Sequence, residues 1–197
     1  MTTRPGPDAR RGKPDGDEGG PDIDAHPAHL APDDLDSLTE RLIAALKEEF
    51  GGDERRITHA MRVLAHARDI SQREGGQQRV VIAAALLHDI GICKAEEKYG
   101  SAAPRYQEAE GPPIARRILA EIGFDQREAE HVCSIVASHH SCGLIDTCEF
   151  RTLYDADWLV NCPDEFPNVA EADLKEMIAR TMKTPAGREI AANMFLG

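Results

Sequence analysis

Two adjacent polar residues, His88 and Asp89, end the most apolar stretch of the chain, RVVIAAALLHDIG. Every position from Val80 to Leu87 is apolar, the pattern of a helix enclosed on all sides. A carboxylate at the end of such a helix costs several kcal/mol to bury alone, or else becomes neutral. Coordination to a cation removes that cost, and imidazole with carboxylate is a ligand set suited to Fe, Mn, Zn, Ni or Co. The pair equally suits an ordinary helix C-terminus, with His88 near the negative end of the dipole and Asp89 in solvent. The dipeptide alone does not decide between these readings.

Three other segments place similar groups on apolar faces. Residues Ile57, Ala60, Met61, Val63, Leu64, Ala67 and Ile70 form the apolar arc of one helix, and His59 lies at its edge beside Val63 and Ile70. His66, seven residues on, is the rival position, and either residue also suits a boundary histidine. A later segment carries an inward stripe of Phe150, Leu153, Tyr154 and Asn161. Advancing about 100° per residue puts Asp157 in the middle of that stripe. Asp155 falls nearly opposite, as a solvated charge or a group behind the ligands. Val132, Ile135 and Val136 define a third inward face, which His139 continues, with His140 one step round and His131 turned to solvent.

The joint pattern His59, His88-Asp89, Asp157 resembles the HD superfamily of metal-dependent phosphohydrolases. The local context is THAMRVLAHA around His59, ALLHDIG around the doublet and LYDADWL around Asp157, and the resemblance spans roughly residues 38–195. It implies an all-α helical bundle of about six to eight helices. It also implies one divalent metal ion (Mn, Fe, Zn, Ni, Co or Mg) held by His59, His88, Asp89 and Asp157. The implied chemistry is cleavage of a phosphomonoester or phosphodiester in a small molecule or nucleotide by a metal-activated water. The alternative is a metal-containing HD module that binds a nucleotide-like ligand as a regulator, without turnover.

Some members of the superfamily hold a second metal through further histidines, and His139 and His140 match the later of those positions. Where such members carry a histidine ahead of Gly111, this chain has Gln107, with Glu108 and Glu110 nearby. Glu110 or Glu108 is therefore expected to stand in as an oxygen ligand, or Glu110 as the acid that protonates the leaving group. His88, Asp89, Glu110 and His139 form the expected catalytic set. Ile92 stands where two branches of the superfamily carry Lys or Glu, and no GYP element is present. Neither the cyclic-dinucleotide-degrading branch nor that nucleotidase branch is matched.

Composition narrows the partners. A formal net charge of −12 over 197 residues argues against a nucleic-acid backbone or an anionic membrane as the main partner. It still admits a phosphorylated substrate, because a bound cation inverts the local field. No apolar run is long enough to span a bilayer, and MTTRPGPDARRGK has no signal-like apolar segment. The five cysteines, Cys93, Cys133, Cys142, Cys148 and Cys162, form no C-x-x-C pair. Reduced thiols and a cytoplasmic location are expected.

The elements that must position these groups follow from the punctuation. Residues 1–33 are rich in Pro and Gly and poor in apolar residues, so a disordered tail is expected, with His26 and His29 solvated. Residues 34–197 should form the helical domain. Ser37 and Glu40 suggest a capping box for a first helix closed by Gly51-Gly52. Asp53 can cap a second helix reaching about Glu74, and a third runs from about Gln78 to Ile90. Residues 92–111 read as a loop, with Pro112-Pro113 opening a fourth helix that ends at Gly123. Asp125 caps a fifth reaching His140, and a sixth covers about Glu149 to Asn161. A helix over Glu171–Met182 and a short helical tail from Pro185 complete the chain. No strand alternation is evident.

Overall fold

The structure, a computed structural model, describes residues 32–141 and 145–197. Among these the chain is helical throughout, with no strand: α1 Pro32–Phe50, α2 Glu54–Glu74, α3 Gln78–Leu87, α4 Ile92–Tyr99, α5 Pro104–Ile122, α6 Gln126–Val136, α7 Cys148–Glu165, α8 Glu171–Thr181 and α9 Pro185–Phe195. The all-α class is as expected. The expected tail, with His26 and His29, lies outside the described residues except for its last two positions, which open α1. Cys142 also lies outside them. Cys93, Cys133, Cys148 and Cys162 are free.

Helix α3 is the axis of the bundle and packs against α1, α2, α6 and α7. Val80 through Leu87 are all buried, as a helix apolar on every face requires. Around it, α1 buries Leu38, Leu42 and Leu46, and α2 buries Ile57, Ala60, Val63, Leu64, Ala67 and Ile70. Each of the leucine, isoleucine and valine side chains contributes about 1.5–3 kcal/mol when taken fully out of water. Helix α7 is enclosed on several sides, because it packs on α2, α3 and α9 at once.

The caps divide into those the residues announce and those they do not. The Asp53 side chain accepts from Arg56 N–H and the Asp125 side chain from Glu128 N–H, so both caps stand as expected. Ser37 is no cap: α1 begins at Pro32 and Ser37 lies within it. Helix α7 is opened by Thr147, whose hydroxyl accepts from Phe150 N–H.

The largest departure lies between residues 92 and 113. The expected loop is α4 followed by the first two turns of α5, and Pro112-Pro113 sit inside α5 instead of opening it. Proline removes an N–H and crowds the turn before it, yet here the helix runs through both rings. α5 begins with Pro104 after Ala103, and proline suits a first turn whose N–H groups have no helical partner. Helix α4 packs on α5, and the pair brings a wall of side chains over the end of α3.

Candidate metal centre

The end of α3 carries the centre. His88 is buried, and its Nδ1–H donates to the Ala85 carbonyl at 2.9 Å. That bond orients the ring and leaves Nε2 facing away from its own helix, the arrangement that prepares an imidazole to bind a metal. His59 comes from α2, where the apolar arc turns its edge toward α3. The two Nε2 atoms face one another at 3.2 Å. Asp157 comes from α7, and its Oδ1 stands 3.1 Å from His59 Nε2 and 3.5 Å from His88 Nε2. Asp89, in the turn after α3, places Oδ2 3.6 Å from His59 Nε2 and 3.4 Å from His88 Nε2.

Atoms bound to one ion at about 2.0–2.2 Å in tetrahedral array lie roughly 3.4 Å apart. The separations here, 3.1–3.6 Å, match that spacing. Two imidazole nitrogens pointed at each other, with a carboxylate on either side, are the donor set of a cation site. The residues present therefore fit a divalent metal.

A second group shares Asp89. His139 lies in the turn after α6, is buried, and donates Nδ1–H to the Val136 carbonyl at 2.8 Å. Its Nε2 is enclosed and has no hydrogen-bond partner among the described residues, standing 3.5 Å from Asp89 Oδ1. An enclosed imidazole nitrogen aimed at a carboxylate oxygen is a second sign of a ligand not made of protein. The ligand atoms of Asp89, His139 and His140 lie within 4.8 Å of one another, as do those of His59, His88 and Asp89. Asp89 thus faces both groups.

The charges are locked together. Burial opposes ionisation of Asp89, but His88 and His139 outweigh it and hold the carboxyl well below its usual range. Burial likewise opposes ionisation of Asp157, and hydrogen bonds from His59 and His88 again win. His88 is pushed well above the usual imidazole value, because Asp89 and Asp157 more than offset its burial. His140 moves the other way, lowered by burial and by the neighbouring His139. A metal would compete with protons for these same nitrogens.

Other expected residues fall elsewhere. Glu110 is in neither group: its Oε1 accepts from Lys98 Nζ and from Tyr99 O–H, each at 2.7 Å. Because Pro112-Pro113 lie within α5, Glu110 sits on a helix that aims it at α4, and the salt bridge holds its carboxyl below the usual range. Glu108 accepts from His140 N–H at 3.0 Å and Ser141 N–H at 2.7 Å, which ties the turn after α6 to α5. Gln107 does face the centre, with Oε1 3.4 Å from His140 Nε2. His66 is half-buried along α2, outside both groups, and burial lowers its pKa. His131 is not turned to solvent: its Nε2 lies 2.9 Å from Thr147 Oγ1.

Asp155 corrects the sequence reading most sharply. It is fully buried, not solvated. Its carboxylate accepts from Lys183 N–H, Thr184 N–H and Thr184 O–H at 2.7–2.8 Å, binding α7 to the start of α9. Helical phase rightly separated Asp155 from Asp157, but the far side of α7 is covered by α9, not by water.

Two residues near the centre were not singled out from the sequence for this role. Asn161 donates to Asp157 Oδ1 at 3.0 Å, and its signal was the i, i+4 spacing on one helix. Arg56 binds Glu96 at 2.6 Å and approaches Asp53 at 3.3 Å, fixing α2 to α4. A cleft of about 280 Å³ opens over the centre, lined by Arg55, His59, Asp89, Gln107, His140 and Asp157 among others.

The comparisons agree with this geometry. The HD domain family model matches residues 56–162, more than half of the chain. No curated protein matches significantly. Two solved structures resemble the chain. One, described as a predicted HD superfamily hydrolase from an uncultured Thermotogales bacterium, is 26% identical. Its TM-score is 0.59, over 78% of this chain and 83% of that one. The other, an HD-superfamily hydrolase from Bacillus thuringiensis, is 22% identical. It has a TM-score of 0.55, covers 81% of this chain and 89% of that one, and supports the fold alone. With residues 56–162 matched and His59, His88, Asp89 and Asp157 drawn to one point, the chain belongs to the HD domain family.

Proposed function

We propose that this protein is a metal-dependent phosphohydrolase acting on a phosphomonoester or phosphodiester of a small molecule. One observation carries the reading: four ligand side chains from α2, α7 and the turn that ends α3 converge at 3.1–3.6 Å beneath an open cleft. A structural role would not need that convergence, since enclosing two carboxylates with two facing imidazoles costs more than an apolar end to α3.

His59, His88, Asp89 and Asp157 would hold the ion. When bound, it supplies Lewis acidity for the phosphoryl group and acidifies water. The protein's own groups supply the rest. Ala85 O and Val136 O keep His88 and His139 in the tautomer whose Nε2 can accept. His139 Nε2, enclosed and without a hydrogen-bond partner among the described residues, takes the proton of the attacking water, and Asp89 Oδ1, 3.5 Å away, stabilises the imidazolium that results. Asn161 orients Asp157 through its Nδ2–H. The name of the 26% identical structural relative, a predicted HD superfamily hydrolase, is consistent with hydrolytic chemistry.

Elemental analysis of protein purified without added metal, combined with turnover on a panel of phosphorylated metabolites, tests the reading. A stoichiometric first-row ion and release of phosphate from at least one ester are expected. Metal-free, fully stable protein would overturn the metal centre. Metal-loaded protein inert on every ester would overturn catalysis and leave a binding module.

A further inference from the structure

Helix α2 carries more than His59 on its site-facing stripe. Arg55, His59 and Arg62 follow at i, i+4 and i+7, so they share one face and span roughly 10 Å along the axis. Most arginines among the described residues hold an ion pair or a hydrogen bond. Arg56, the immediate neighbour, is held by Glu96 and Asp53. Arg55 and Arg62 are exposed and have no such partner among the described residues.

Both line a second cleft of about 380 Å³, together with Thr58, Glu54, Asn161 and Asp164. This cleft adjoins the one over the centre, because His59, Arg55 and Asn161 line both. A ligand extending from one to the other passes beside His59. In a chain of net charge −12, the two guanidiniums offset Glu54 and Asp164, so this cleft lacks the net negative charge of the chain as a whole.

We infer that Arg55 and Arg62, with the Thr58 hydroxyl, bind a second phosphate on the substrate, so that the preferred substrate is a small bisphosphorylated molecule. This rests on the phosphohydrolase reading above. A guanidinium fork matches two oxygens of a phosphate at once, and two forks with a hydroxyl can satisfy most of its acceptors. Glu54 and Asp164 balance the two cations in the same cleft. The site therefore selects one phosphate through directed bonds and does not draw polyanions in general.

The test uses the full chain loaded with Mn and two ligands that cannot be hydrolysed, propylene bisphosphonate and propylphosphonate, compared by calorimetry. The bisphosphonate should bind about tenfold more tightly, the effect of a second charge-assisted contact. In the variant combining Arg55→Gln with Arg62→Gln, the ratio of the two affinities should fall close to one while Mn content is retained. If the double variant fails to fold, Arg62→Gln alone should reduce the ratio. Equal affinities in the wild type, or a tenfold ratio surviving in the variants, would overturn the second-phosphate site. Binding is read without turnover, so a failed search for hydrolysis leaves this result independent.

Discussion

Gly91 lies so near α5 that a Cβ built on it would stand 2.6 Å from Gly111 N and 2.5 Å from Gln107 O. A Cβ on Gly111 would in turn meet Val136 Cγ1 at 2.7 Å. The turn after His88-Asp89 is therefore pressed onto α5, and α5 onto α6. This close approach brings Gln107 and the turn holding His139 up to Asp89.

Gly91→Ala should accordingly disturb both stability and the centre. Backbone atoms, not flexible side-chain ends, are what the new methyl meets, so about 1–3 kcal/mol of destabilisation is expected. Urea midpoints and bound metal should fall together. A variant with wild-type values for both would show that α4 and α5 can move aside freely.

His88→Ala and Asp89→Ala should each remove the metal. Binding to the native state alone contributes about 4 kcal/mol when free ion exceeds its Kd a thousandfold, so each variant should also melt earlier. Full metal content in either variant, measured by elemental analysis, would refute the assignment.

Asp157→Asn and Asp155→Asn should fail in different ways. The first should lose metal and turnover while the fold survives. The second should keep the centre but lose about 1–3 kcal/mol, because an amide cannot accept from both Lys183 N–H and Thr184 N–H with two oxygens. Burial raises the Asp155 pKa above its ordinary value despite those bonds. The folded protein then holds this proton more readily than the unfolded chain. Its contribution is full below the unfolded value and is lost as pH rises through the folded one. The stability gap between wild type and Asp155→Asn should thus be widest in acid and narrow toward neutrality. A gap that widens with rising pH in denaturant titrations would contradict the burial effect.

His139→Ala should leave the first metal bound yet cut turnover by at least about tenfold, or about 1.4 kcal/mol of barrier. Glu110→Gln should leave turnover near wild type, since Glu110 binds Lys98 and Tyr99 outside the centre. Steady-state kinetics of the two side by side decides. A loss at Glu110 matching that at His139 would mean that Glu110 releases Lys98 and turns inward during catalysis.

What could be read from the amino-acid sequence was whatever depends on phase within one helix. The enclosed α3 follows from unbroken apolarity between Val80 and Leu87, and the inward aim of Asp157 from 100° steps along α7. Asp53 and Asp125 declare their caps because a short carboxylate before an apolar series has few other uses. His59 was preferred to His66 by its local context, and the structure brings His59 to His88.

What only the tertiary structure decided concerns the second side of each element. Phase said that Asp155 faces away from Asp157, but not that Lys183 and Thr184, leading into α9, meet it with two backbone N–H groups and a hydroxyl. Glu110 was within reach of the cleft so long as residues 92–111 formed a loop. Once α4 forms and α5 runs through Pro112-Pro113, the same residue is turned to Lys98. A helix fixes the direction of its side chains by its own geometry, but which partner waits in that direction depends on contacts between segments distant in the chain. No periodicity within a segment encodes them.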